Sequence, residues 1–245
     1  MDFAKVVSAG REGLLFGFCS IVAVFALGWI LQRALKIRPV TALLVSAGTA
    51  ICGGSAIAAI SSVVDAPDED VSVAVATVFL LNAVALLAFP AIGHALQLTQ
   101  HQFGVWSGIA IHDVASVVGA GAAYGPDALE TATAVKLSRV LYLVPITLIA
   151  ATIYQRSNRS SGKIQIPWFI GLFLVASAVR SNLPDAAAFA PEIKKVATIG
   201  FALALYLIGS GISRKTLKSV GVRPLILGTS LWLFISVAAL ILVRV

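Results

Sequence analysis

The chain has 245 residues, of which 59% are hydrophobic and 12% charged, with a mean hydropathy of +0.96. A soluble domain carries about 25% charge, so this composition excludes an ordinary water-soluble fold and points to a polytopic membrane protein. The net charge of +7 requires no nucleic-acid partner, because the excess sits in short loops, where anionic lipid attracts it.

A hydrocarbon core about 30 Å thick is crossed by about 20 helical residues. Segments 13–35, 41–64, 71–98, 103–124, 129–154, 166–183, 193–212 and 224–245 reach or approach that length. Long apolar runs without two-residue alternation predict helices, not a barrel, and hence an all-α fold of about eight spanning or re-entrant segments. Segment 13–35 is too long for the apolar part of a signal peptide and lacks a small-residue cleavage site, so it reads as a span. The linker-like stretch 156–165 is short, and residues 1–245 read as a single transmembrane domain.

Basic residues mark alternate loops: Arg33, Lys36 and Arg38; Arg156, Arg159 and Lys163; Arg214, Lys215, Lys218 and Arg223. The positive-inside tendency makes these cytoplasmic and places the protein in the inner membrane as a multi-pass protein, with both chain ends outside. The intervening loops are acidic or mixed. Asp65, Asp68, Glu69 and Asp70 are therefore expected on the outer face, with Asp127, Glu130, Asp185 and Glu192.

Two internal similarities stand out. Residues 8–17, SAGREGLLFG, align with 219–228, SVGVRPLILG, keeping Ser8/Ser219, Gly10/Gly221, Leu14/Leu225 and Gly17/Gly228. These stretches fall an odd number of spans apart, which is the signature of an inverted-topology repeat of the kind found in secondary transporters. Residues 45–60, VSAGTAICGGSAIAAI, align with 105–120, VWSGIAIHDVASVVGA. These lie two segments apart and run the same way if every segment crosses fully; either a segment is re-entrant, or the likeness is one of packing chemistry. Gly53 and Gly54 fall near mid-membrane, where paired glycines weaken a helix by about 1 kcal/mol each relative to Ala. They read equally as a broken helix whose N–H groups face an anion or as close small-residue packing.

The stretches GTAICGGSAIAAISSVV, SVAVATVFLLNAVALLAFP, SGIAIHDVASVVGAGAAYG, AVKLSRVLYLVP, IPWF and GSGISRKTLKSVGVRPLIL resemble the YeiH-like sulfate exporter family over nearly the whole chain. That family is grouped with the bile-acid/sodium symporter and sodium/proton antiporter superfamily. The resemblance implies a fold with crossed discontinuous helices, in which ICGGSAIAA would be one crossing helix, and it implies a sulfate or sulfonate as cargo. Family members carry two or three further helices upstream, so it also implies an N-terminally incomplete chain.

Several polar residues converge in depth. At 1.5 Å per residue, Cys52, Asn82, Asp113 and Arg139 each lie roughly 14–17 Å into their segments. Lys136 and Arg139 are three apart and share a helix face, and one Asp113 cannot neutralise both, which favours an anionic substrate. The competing structural reading pairs Asp113 with Lys136 to lock two helices and bonds Arg139 to backbone carbonyls. His112 and Asp113 are candidates for coupling a proton or sodium ion; Cys52, Gly53, Gly54, Ser55 and Asn82 join Lys136 and Arg139 as candidate substrate ligands, and Thr49 lies nearby. Arg180 and Asn182 read as snorkelling residues.

Cys52, His112 and Asp113 are also the residue types of a nucleophilic triad, but adjacent helical residues point about 100° apart, so a non-enzymatic reading is preferred. The three histidines lack metal-ligand spacing, and neither metal nor cofactor is expected. Cys19 and Cys52 are too scattered for a disulfide framework. The expected function is secondary transport of a small anion, with an intramembrane enzyme or a channel or scaffold as alternatives. Lipid, the anion and the coupling ion are the expected partners, and a homo-oligomer is left open.

Overall fold

A computed structural model describes residues 3–157, 172, 175–176, 190–211 and 220–244. All regular elements among the described residues are helical: α1 (Phe3–Leu35), α2 (Pro39–Ala50), α3 (Gly54–Val64), α4 (Asp68–Ala95), α5 (Gln100–Ala110), α6 (Val114–Tyr124), α7 (Pro126–Val140), α8 (Leu143–Ser157), α9 (Ala190–Gly211) and α10 (Val222–Arg244). Four stretches are long and apolar enough to cross a membrane: Phe16–Leu35, α4, Pro126–Ile153 through α7 and α8, and α10. The sixth apolar segment lies largely outside the described residues, as do Arg159, Lys163, Arg180, Asn182, Asp185, Arg214, Lys215 and Lys218.

The second and fourth apolar segments are both broken, at 51–53 and 111–113. Neither crosses. Were α2 and α3 collinear, Arg38 and Val64 would stand about 39 Å apart at 1.5 Å per residue. Instead Arg38 Nη1 donates to Glu69 Oε2 at 3.0 Å, its Nε lies 3.1 Å from Asp70 Oδ1, and Thr41 Oγ1 donates to the buried Asp70 carboxylate. The segment between Val64 and Asp70 is six residues, about 20 Å at full extension, so α3 must double back beside α2. The pair is a re-entrant hairpin whose two ends open on one face.

The second hairpin repeats this design from the other face. Phe103, near the start of α5, stacks on Tyr124, at the end of α6, with ring centroids 3.8 Å apart. Tyr124 Oη donates to the Leu98 carbonyl, and Gln100 Oε1 accepts from Asp127 N at 2.9 Å. A capping box between Thr99 and Gln102 starts α5, satisfying two N–H groups that would otherwise be left unpaired.

These contacts correct the expected arrangement of loops. Asp65, Asp68, Glu69 and Asp70 share a face with Arg33, Lys36 and Arg38 instead of lying opposite, because the intervening segment turns back at half depth. The helix termini that carry Arg156 and Arg223 lie on this same face: Val63 packs with Ala150 and Ala151 near the end of α8, while α10 ends on the opposite face, where Gln102 Nε2 donates to the Val243 carbonyl and Arg244 Nη2 to that of Leu96. The basic loops within the described residues thus keep a common face.

With both segments re-entrant, the obstacle to an inverted repeat disappears. A hairpin plus one span reverses direction, so α2–α4 and α5–α8 run oppositely through the bilayer. Residues 54–64 and 114–124 form α3 and α6 at a constant offset, as do the breaks that precede them. Lys36 and Gln97, one just ahead of each hairpin, both adopt positive φ, 53° and 54°. Gly17 of α1 packs against Tyr142, while Gly228 of α10 packs against Thr77 and Leu81 on the repeat counterpart of that span.

Candidate functional site

The hairpin tips meet at mid-depth. Gly53 carries φ 66° and ψ −127°, a conformation that L-residues avoid, and a Cβ built there would stand 3.3 Å from Asp113 Cβ. The glycine therefore lets the chain reverse and lets the second tip close against the first. Gly53→Ala is expected to destabilise the protein by about 2 kcal/mol through backbone strain alone, read as earlier thermal unfolding in detergent. An unchanged midpoint would mean that the tip adopts another conformation.

The two tips use their helix N-termini differently. At α6 the Asp113 carboxylate is the N-cap, accepting Ser116 N at 2.7 Å and Ser116 Oγ at 2.8 Å. Gly53 holds the equivalent place at α3 and has no side chain with which to cap that helix. Its hydrogen-bond ladder begins with Ile57 N donating to Gly53 O, so the N–H groups of Gly54, Ser55 and Ala56 lie ahead of it, at the positive end of the helix dipole. Cys52 Sγ lies against Ala56 N–H, and Ser55 Oγ donates to the Cys52 carbonyl at 3.1 Å. Gly54 is half-buried and Ser55 exposed, which leaves this tip approachable from one side.

Each spanning element reaches across to the hairpin of the other repeat. Asn82 of α4 accepts from His112 N at 3.0 Å, with His112 Nδ1 3.2 Å from the same oxygen. The amide oxygen can only accept, so Nδ1 is the donor in that contact. Arg139 of α7 donates from Nη2 to the Ala50 carbonyl at the first tip and from Nη1 to Ser20 Oγ of α1 at 3.0 Å. Ser20 Oγ in turn donates a hydrogen bond to the Gly17 carbonyl at 2.8 Å.

Lys136 is fully buried, and its Nζ has no hydrogen-bond partner; the same holds for Arg139 Nε and His112 Nε2. Ion pairs among the described residues join Arg38 to Glu69 and Asp70, and none reaches Lys136 or Arg139. Lys136 lies one turn from Arg139 on α7, on the side of that helix that reaches the first tip.

The residues expected to converge, Cys52, Gly53, Gly54, Ser55, Asn82, His112, Asp113, Lys136 and Arg139, are thus assembled at the tips, with Thr49 turned back onto the Val45 carbonyl of its own helix at 2.9 Å. Asp113 bonds to Ser116 and forms no lock with Lys136, while Arg139 does take a backbone carbonyl. Asn82 braces the second hairpin. Ser20 and the Ala50 carbonyl were not legible as site groups. Ser116 was not read either, although an Asp at a helix start is an N-cap signal that leads to it.

Two opposed re-entrant hairpins inside a bundle of spanning helices define an all-α polytopic membrane protein with an inverted repeat. The chain belongs to the protein family described as Conserved hypothetical protein 698, which it matches over residues 1–228. It is 45% identical to a UPF0324 membrane protein of Bacteroides thetaiotaomicron over 242 residues, covering 98% of this chain and 72% of that one. A UPF0324 membrane protein of Vibrio parahaemolyticus is 44% identical over 98% of this chain and 78% of its own length. One from Geobacter sulfurreducens is 42% identical, covering 100% and 77%. No solved structure matches the chain.

Proposed function

We propose that the chain is the carrier unit of a secondary transporter, and that a small anion binds between the hairpin tips. The observation that carries this reading is the N-terminus of α3, whose N-cap Gly53 has no side chain, beside two buried basic side chains with unpartnered atoms, Lys136 Nζ and Arg139 Nε. A buried polar atom without a partner is costly, and a helix N-terminus is built to receive an anion. The repeat supplies an internal control, because at α6 a carboxylate of the chain itself fills the equivalent position.

Each hairpin covers the site from one face, an arrangement suited to alternating exposure. The basic face is cytoplasmic by the positive-inside tendency, and the membrane is the bacterial inner membrane. Sulfate or a sulfonate is the cargo suggested by the resemblance to YeiH-like exporters. The role is transport, not catalysis: the Asp113 carboxylate that a triad would need on His112 is spent on Ser116.

The test is uptake and efflux of labelled sulfate, and of a panel of other small anions, in proteoliposomes, with and without proton or sodium gradients. Saturable, gradient-dependent flux is expected. Gradient-independent conductance would indicate a channel, and absence of flux and binding across the panel would overturn the reading.

A further inference from the structure

Among the described residues, Lys136 is the one basic side chain of the site whose terminal nitrogen makes no hydrogen bond. Arg139 is held by Ser20 and Ala50, Asp113 is hydrogen-bonded to Ser116, and among the described residues no acidic side chain stands within ion-pair distance of Lys136 Nζ. The groups facing it are Cys52 from the first tip, His112 and Asp113 from the second, and Arg139 one turn along α7. Two of the four are basic. His112 Nδ1 already donates to Asn82, and a second proton on this ring would set another cation against Lys136 and Arg139.

We propose that the site takes its anion together with one proton, and that Lys136 Nζ holds that proton. The inference rests on the anion reading of the site and names its coupling ion. Without the anion, a buried amine with no partner is held neutral, because an isolated ammonium out of water is far more costly than an amine. With the anion at the α3 N-terminus, the amine lone pair takes a proton from solvent, and the ammonium so formed gives the anion its ion pair. No other bond is made or broken. A singly charged anion and its proton then cross together without net charge, so the flux of a monoanion does not respond to membrane potential.

The experiment is calorimetric titration of the purified chain with sodium sulfate, in two buffers of different ionisation enthalpy at the same pH. The difference in heats counts protons exchanged. About one proton should be taken up per sulfate, and affinity should fall about tenfold for each pH unit on the alkaline side. Lys136→Arg keeps a cation that does not release its proton, so it should bind sulfate with no proton uptake and with this pH dependence flattened. Sulfate binding to the parent protein without proton uptake would overturn the inference and leave the anion site standing. So would uptake that persists in Lys136→Arg, which would assign the proton to another group. Failure of the parent to bind sulfate or any anion of the panel would remove the anion reading, and the inference with it.

Discussion

Lys136→Met is expected to leave the thermal stability of the protein unchanged or raised while abolishing anion binding, and Arg139→Met to lower stability by about 3–5 kcal/mol. The difference follows from what each side chain touches. Lys136 Nζ makes no hydrogen bond, so Met in its place removes a buried polar atom, keeps most of the volume and breaks nothing. Arg139 ties the first tip to α7 and α1 through the Ala50 carbonyl and Ser20. Its loss removes two charge-assisted bonds of about 1.5–3 kcal/mol each and leaves a buried carbonyl unpaired. Thermal unfolding followed by tryptophan fluorescence, alongside titration with sulfate, reads both quantities. Asp113→Asn keeps an oxygen to cap α6 but removes the negative charge, so anion affinity should hold or rise. Equal loss of stability in the Lys136 and Arg139 variants would sink the assignment of Lys136 as the group waiting for a ligand.

The second large effect concerns sidedness. In a variant lacking Cys19 and Cys52, single cysteines at Lys36 and Glu69 are expected to react with an impermeant thiol reagent from the same side of the membrane, and a cysteine at Gln97 from the opposite side. Were the segment between Lys36 and Glu69 a full crossing, these two would label from opposite sides. The hairpin forbids this, because Arg38 touches both Glu69 and Asp70. The outcome is nearly all-or-none for each position. Opposite labelling of positions 36 and 69 would overturn the hairpin and the inverted repeat together.

The sequence carries the helices, their apolar extent and the weakness at Gly53, since these depend on local composition. It also carries the 45–60 and 105–120 likeness, and with it the placement of Asp113 where Gly53 stands. Whether those segments cross or turn back is a different kind of fact. Both are long enough to span, and length was the measure available. What decides the matter is contact across the sequence: Arg38 with Asp70, and Phe103 with Tyr124. The same limit applies to Ser20, which reaches Arg139 from 119 positions away. Loop charge misled at Asp68, Glu69 and Asp70 because acidic residues have two uses there. They favour the N-terminus of α4 and they neutralise Arg38, and neither use reports which side of a bilayer they occupy.

The half-depth turns also bear on how such a protein could arise. A unit made of one hairpin and one span enters the bilayer on one side and leaves on the other, so a tandem duplication of the gene segment inserts its second copy upside down with no further change. Two identical copies would give a symmetrical molecule with the same chemistry at both tips. At one pair of matched positions the copies differ in kind: aspartate caps the α6 end, and glycine leaves the α3 end without a capping side chain of its own. The difference between the two tips is thus carried by side chains, while the backbone design is shared.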